Sequence, residues 1–130
     1  MNKKFAHAAV IAALLGMTGP TVAGPDDYVF EPVQAEVKRG DDAVVAVRLK
    51  HKASGKLVTG AVIVTKRIDM GPDGMANMES PLTPVPSTEP GVYAFKTELS
   101  MAGRWLLSLG ARVQGEPQMV VGKITFRAIR

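Results

Sequence analysis

The sequence predicts an all-β domain, an antiparallel sandwich of about seven strands, for three reasons. Apolar and polar residues alternate with period two over most of the chain after residue 24, which is typical of half-buried strands. Glycine and proline turns separate these stretches at intervals of about ten residues. No apolar stripe with the 3.6-residue period of a helix follows residue 24.

The predicted strands follow from this alternation, which places every second side chain in the core. The stretch at 61–68 does not alternate cleanly, so its inward face stays open. They lie at about 33–37, 45–50, 61–68, 82–85, 93–99, 105–113 and 118–128. On the first of them we expect Val33, Ala35 and Val37 to face inward. The shared phase of the later strands predicts a core that contains Val47, Tyr93, Phe95, Trp105, Leu107, Leu109 and Phe126.

Residues 69–90 are the exception to the strand pattern. They hold five of the nine prolines and few residues that favour strands. Proline cannot donate a hydrogen bond within a sheet, so it is confined to edges and turns. We therefore predict a long loop with one short edge strand at Leu82–Val85. Loops of this length in a small domain are usually functional or disordered.

Residues 1–23 predict a cleavable secretory signal peptide. Lys3-Lys4 supplies positive charge, Phe5 to Met17 is an apolar stretch of 13 residues, and Thr21-Val22-Ala23 places small residues at the cut site. A membrane-spanning helix needs about 20 apolar residues, so we expect cleavage after Ala23 and no retained anchor. The mature protein is then one domain, residues 24–130, in the periplasm or otherwise exported.

Charge and cysteine content exclude some classes of function. After the signal peptide the chain keeps 14 Lys and Arg against 12 Asp and Glu, a small excess of positive charge. It contains no run of basic residues with aromatic residues among them. Nucleic acid is therefore not an expected partner. Cysteine is absent, so an exported domain must rely on its apolar core without disulfides.

Several short motifs resemble a known family of small bacterial exported domains, called YtkA-like and related to the FixH family. The resemblance covers about residues 31–128, and its most specific parts are a Gly-x-Tyr motif and a Met-x-Gly-x-Trp motif. The motifs are Gly55-Lys56, Gly60-Ala61-Val62, Asp69-Met70, Gly74-Met75, Pro90-Gly91-Val92-Tyr93 and Met101-Ala102-Gly103-Arg104-Trp105.

This resemblance implies an immunoglobulin-like sandwich outside the cytoplasmic membrane. It also implies a role in copper and heavy-metal handling or in the assembly of copper-containing oxidases. The chain differs from FixH proper, because we expect no retained membrane helix.

The sequence does not predict an enzyme. His51 is the one histidine after residue 23, so a nucleophile and base pair would depend on it alone. The adjacent carboxylates of Asp41 and Asp42 would point to opposite faces of a strand. Glycine-rich phosphate loops and zinc-type His and Cys spacings are also absent from the sequence.

Methionine is the residue type that could carry chemistry. Met70, Met75 and Met78 lie within nine residues of one another in the predicted loop. Thioether sulfur is a soft ligand that suits Cu(I) and Ag(I) and does not suit zinc or calcium. The alternative is that these flexible side chains pack over the end of the core.

Counting strand directions adds Met101 to this group. If each of seven strands reverses direction, the turns at residues 39–42, 70–78 and 100–104 lie at one end of the sandwich. His51 and Met119 then lie at the opposite end. The predicted metal ligands are therefore Met70, Met75, Met78 and Met101, with Cu(I) as the metal.

Two functional hypotheses remain open at this point. The first is an exported copper-binding accessory protein that works alone or beside a membrane efflux or oxidase-assembly complex. The second is a metal-free interaction module that docks onto such a complex through a sheet edge or the long loop.

The signal-peptide prediction has a direct test. The exported protein should have the intact mass of residues 24–130, and replacing the cut-site residue (Ala23→Phe) should leave it unprocessed. Mass spectrometry of the periplasmic fraction measures this. Full-length wild-type protein in the membrane fraction would show that the segment is retained as an anchor.

Overall fold

The computed structural model describes residues 25–130, so the predicted signal peptide lies outside the described residues. Within them the chain forms nine strands, and a short 3-10 helix at Gly71–Asp73 joins the fourth strand to the fifth. The strands are β1 (Tyr28–Pro32), β2 (Glu36–Lys38), β3 (Gly40–His51), β4 (Val62–Met70), β5 (Met75–Ser80), β6 (Leu82–Val85), β7 (Val92–Leu99), β8 (Gly103–Arg112) and β9 (Val120–Ile129).

The strands form two sheets, in the orders β1-β3-β7-β6 and β2-β9-β8-β4-β5. All neighbours are antiparallel except β2, which runs parallel to β9. The predicted all-β sandwich is therefore confirmed. None of the helices between residues 25 and 130 has the length and apolar character that crossing a bilayer requires.

The core lies between the two sheets, where alternate residues of β3, β7, β8 and β9 meet. On β3 the inward residues Val45, Val47 and Leu49 are completely buried, as the period-two pattern predicts. Six of the seven predicted core residues are at most 3% exposed. The seventh, Tyr93, is partly buried, and its hydroxyl donates a hydrogen bond to the Val58 carbonyl (2.8 Å).

One close contact between the sheets requires a glycine. Gly122 on β9 lies directly against the ring of Phe30 on β1, and a Cβ atom at that position would overlap the ring. The ring can therefore approach β9 this closely only because residue 122 has no side chain.

The structure corrects the predicted strand pattern in two places. Residues 69–90 contain the predicted edge strand β6, but they also contain β5, which was predicted to be loop. The first strand is split into β1 and β2, which belong to different sheets, so Val33 (36%) and Ala35 between them are exposed instead of inward. Where the chain passes from one sheet to the other, alternate residues no longer face the same core, so the period-two pattern does not predict which side chains are buried.

Trp105 provides the sharpest test of this core. Its side chain is completely buried, so Trp105→Ala should lower the free energy of unfolding by about 3–5 kcal/mol. Val121→Ala removes an apolar side chain that is 68% exposed, and should cost less than about 1 kcal/mol. Urea unfolding measures both values, and equal losses would contradict the assigned burial of Trp105.

Candidate soft-metal site

The strand directions bring the four candidate methionines to one end of the sandwich, here called the methionine end and defined by Met70, Met75, Met78 and Met101. Met70 ends β4 and is the register partner of Met75, which begins β5. Met101 lies in the turn between β7 and β8, beside the same hairpin. Whether these sulfurs bind a metal stays a prediction.

The four side chains differ in burial. Met70 is 1% exposed and belongs to the core, whereas Met75 and Met78 are partly buried and pack against its edge. Met101 is 41% exposed. Three of the four methionines are therefore at least partly accessible, and Met70 is buried.

Arg67 holds the β4–β5 hairpin from one side. Its Nε donates to Asp69 Oδ2 (2.7 Å), its Nη1 to Glu79 Oε1 (2.7 Å) and its Nη2 to the Ala76 carbonyl (2.8 Å). The second oxygen of Asp69 accepts the Gly71 N–H at 2.7 Å. One guanidinium thus connects three points of the hairpin, and its planar set of donors makes this possible.

Arg104 holds the same hairpin from the other side. Its backbone N–H and its Nε donate to the two oxygens of Asp73 (2.8 Å each), and its Nη2 donates to the Pro72 carbonyl (2.7 Å). A Cβ atom at Gly103 would lie 2.6 Å from Asp73 Oδ2 and 2.7 Å from the Met70 methyl. The start of β8 can therefore approach the hairpin this closely only with glycine at residue 103.

The turn that carries Met101 is also tied to its surroundings. The Met101 carbonyl accepts a hydrogen bond from the buried indole of Trp105 at 3.1 Å. The neighbouring Ser100 carbonyl accepts one from Arg39 at 3.3 Å. These two hydrogen bonds fix the turn between β7 and β8 at the methionine end.

The family of this chain is shown by its sequence. The model of the family described as YtkA-like matches residues 23–110, which is more than half of the chain and includes the whole methionine end. The chain belongs to the YtkA-like family. Membership in this family suggests a non-catalytic accessory domain. The relation to FixH stays a prediction.

A solved structure titled "ZirS C-terminal Domain" is similar at 18% sequence identity and a TM-score of 0.42, over 85% of this chain and 73% of that chain. No curated protein matches the sequence.

His51 and Met119 of this YtkA-like domain lie at the opposite end, as the strand count predicts. His51 ends β3, where its Nδ1 lies 3.5 Å from Ser54 Oγ and its ring meets the edge of Tyr28 at a centroid distance of 5.3 Å. Met119 precedes β9 and lies over Gly110. Neither residue can join the four candidate ligands.

The chemistry available at the methionine end is that of soft thioether ligands. Between residues 25 and 130, no group of three or more His, Cys, Asp and Glu side chains is placed to hold a metal ion. The carboxylates of Asp69 and Asp73 are already hydrogen-bonded to Arg67 and Arg104. The donor set therefore favours a soft monovalent cation over zinc or calcium.

Sequence analysis did not predict the two arginine contacts. Arg67 and Asp69 are two residues apart, so on a strand they share a face, and this spacing was an available signal. Arg104 and Asp73 are 31 residues apart. No short-range sequence pattern indicates the Arg104–Asp73 contact.

These contacts shift the pKa of both aspartates. Burial would raise the pKa of Asp69, but hydrogen bonds from Arg67 and Gly71, with the positive charges of Arg67 and Lys123, outweigh it and hold the pKa below its usual value. Hydrogen bonds from the backbone N–H and the side chain of Arg104 lower the pKa of Asp73. Both groups stabilise the fold as carboxylates.

The pH dependence of stability tests the Arg67–Asp69 contact. Because the folded pKa of Asp69 is lowered, its contribution should be complete above about pH 5 and be lost as the pH falls below about 4. Asp69→Asn should therefore lower stability at pH 7 and reduce the further loss on acidification. Chemical unfolding between pH 2 and pH 7 measures this.

The matched control is Asp41→Asn, which removes an exposed carboxylate that has no ion pair among residues 25–130. It separates the loss of a charge from the loss of the contact. Parallel pH profiles for wild type and Asp69→Asn would contradict the stabilising role of the carboxylate.

Proposed function

We propose that this YtkA-like domain is an exported, non-catalytic accessory protein that binds Cu(I) through its methionine end. The observation that carries the proposal is the shared position: four of the five methionines in residues 25–130 lie at one end of the sandwich, where β4 ends, on β5 and in the turn between β7 and β8. Thioethers need not lose a proton to bind a metal, and they prefer soft monovalent ions.

The burial of each methionine determines how easily it can reach a metal ion. Met75, Met78 and Met101 are partly or largely exposed, so they can meet a cation without opening the core. Met70 is 1% exposed, so it joins the ligand set only if the hairpin shifts. Neutral sulfurs add no charge stabilisation, so the affinity should be modest, as suits a protein that passes its metal on.

The arginine contacts support this role. Arg67 and Arg104 hold the β4–β5 hairpin through five hydrogen bonds from their side chains. A turn that is already ordered loses less conformational entropy when a ligand binds. By this proposal the partner is a membrane efflux complex or, in the manner of FixH proteins, an oxidase-assembly complex.

Cu(I) binding should be visible as stabilisation of the fold. At a hundredfold excess over the dissociation constant, Cu(I) should raise the free energy of unfolding by about 2.7 kcal/mol. Zn(II) should have little effect, because thioethers are poor ligands for it. Anaerobic urea unfolding with a competing Cu(I) chelator gives both the stabilisation and the affinity.

A pair of variants localises the site. Met101→Leu removes a sulfur whose side chain is 41% exposed at the methionine end, and Met119→Leu removes one that is 38% exposed at the opposite end. Leucine keeps most of the volume, so both variants should fold normally. Met101→Leu should weaken Cu(I) binding and Met119→Leu should not. An absence of wild-type stabilisation, or equal losses in the two variants, would reject the site.

The second candidate function is a metal-free interaction module. The burial of Met70 and the packing of Met75 and Met78 against the core favour it, because methionine commonly fills irregular gaps. In that case Cu(I) should not change the unfolding curve. The domain would then act by docking onto a membrane complex.

A further inference from the structure

The outer face of the five-stranded sheet carries an excess of positive charge. Alternation and register place the outward residues of β4, β8 and β9 on one surface, here called the basic face. Its cations are Arg67, Arg104, Arg112, Lys123 and Arg127. The same three strands place one outward carboxylate there, that of Asp69.

The outer face of the other sheet gives an internal comparison. Its strands β1, β3 and β7 present three cations and three carboxylates outward. Lys50 pairs there with Glu31 (2.9 Å), and Lys96 lies 3.5 Å from Asp42. The charge excess is therefore a property of one face and not of the whole surface.

The arrangement on the basic face is not the one that sheet stability favours. Arg104 is the direct register partner of Arg127, and like charges in that position are destabilising. Arg67 and Arg104 already form ion pairs with hairpin carboxylates, those of Asp69 and Asp73. By contrast, Arg112, Lys123 and Arg127 form no ion pair within the described part of the chain. These charges are available to a partner.

A concave slot crosses this face. Its volume is about 510 Å³, and Lys66, Arg67 and Lys123 contribute to its lining. Ser108 lies between Arg67 and Lys123 in the cross-strand register, so a short side chain separates two long cations. The exposed Val121 adds apolar surface. The slot can therefore hold a carboxylate together with the aliphatic part of its chain.

We propose that the basic face binds an extended acidic segment of a partner protein. Lys123 and Arg127 are four residues apart on β9, which spaces them by about 13 Å. An extended partner segment repeats its side chains at the same interval. Acidic residues four positions apart on that segment can thus lie beside both cations at once.

The flanks of the face favour a narrow partner over an anionic bilayer. Glu36 on β2 is in register with Arg127 on one side, and Glu79 on β5 lies beyond Arg67 on the other. A planar surface of lipid phosphates would meet both carboxylates. An extended segment between them would avoid both and meet the cations and the slot, because Asp69, the one outward carboxylate of β4, β8 and β9, is only 6% exposed.

Binding of a labelled model peptide tests this proposal. The probe is a fluorescein-labelled 12-residue peptide in which Glu alternates with Thr, and the control peptide carries Gln in place of Glu. Fluorescence anisotropy at 20 mM NaCl should show binding of the Glu peptide only. The affinity should fall at 200 mM NaCl, because salt screens exposed charges.

Two double variants with the same loss of charge locate the surface. Lys123→Gln with Arg127→Gln should weaken peptide binding at least tenfold. Lys50→Gln with Lys96→Gln, on the balanced face, should change it less than twofold. The Met101→Leu variant should bind the peptide like wild type, so this result is independent of metal binding.

Three outcomes would overturn the proposal. These are no binding of the Glu peptide to wild type, equal losses in the two double variants, and binding of phosphatidylglycerol vesicles in place of the peptide. Amide chemical-shift mapping on the wild-type protein serves as the second measurement. Shifts should fall on β8 and β9, and shifts on β3 and β7 would place the peptide on the wrong face.

Discussion

The buried indole of Trp105 connects the core of this domain to its methionine end. The ring is completely buried between the sheets, so its N–H must find an acceptor within the protein. It finds the carbonyl of Met101, four residues earlier, and thereby fixes the turn before β8. Because β8 is central in its sheet, the position of this turn follows from the packing of the core.

The hairpin opposite that turn depends on electrostatics as well as on apolar packing. Its residues include glycine, proline and aspartate, which disfavour regular strands. Arg67 and Arg104 compensate by satisfying carboxylates and backbone carbonyls from two sides. The five-stranded sheet therefore uses its cations in two ways, some within the hairpin and some directed to solvent.

The sequence by itself determined the strands whose side chains alternate between core and solvent. On β3, β7, β8 and β9 the inward residues were predictable, because the period-two pattern reports a single buried face. The parity of the strand directions likewise predicted that Met70 and Met101 lie at one end. That inference needed only the number of times the chain reverses direction, with the short strand β6 counted as one of the strands.

Only the tertiary structure decided which methionines are accessible and which charges are free. The sequence does not distinguish the burial of Met70 from that of Met101, yet Met70 is 1% and Met101 41% exposed. Burial depends on how β4 packs against the start of β8. The Arg104–Asp73 contact joins residues 31 positions apart. The excess charge of the basic face likewise arises from register between strands. Such long-range pairings are set by chain folding, and no local pattern encodes them.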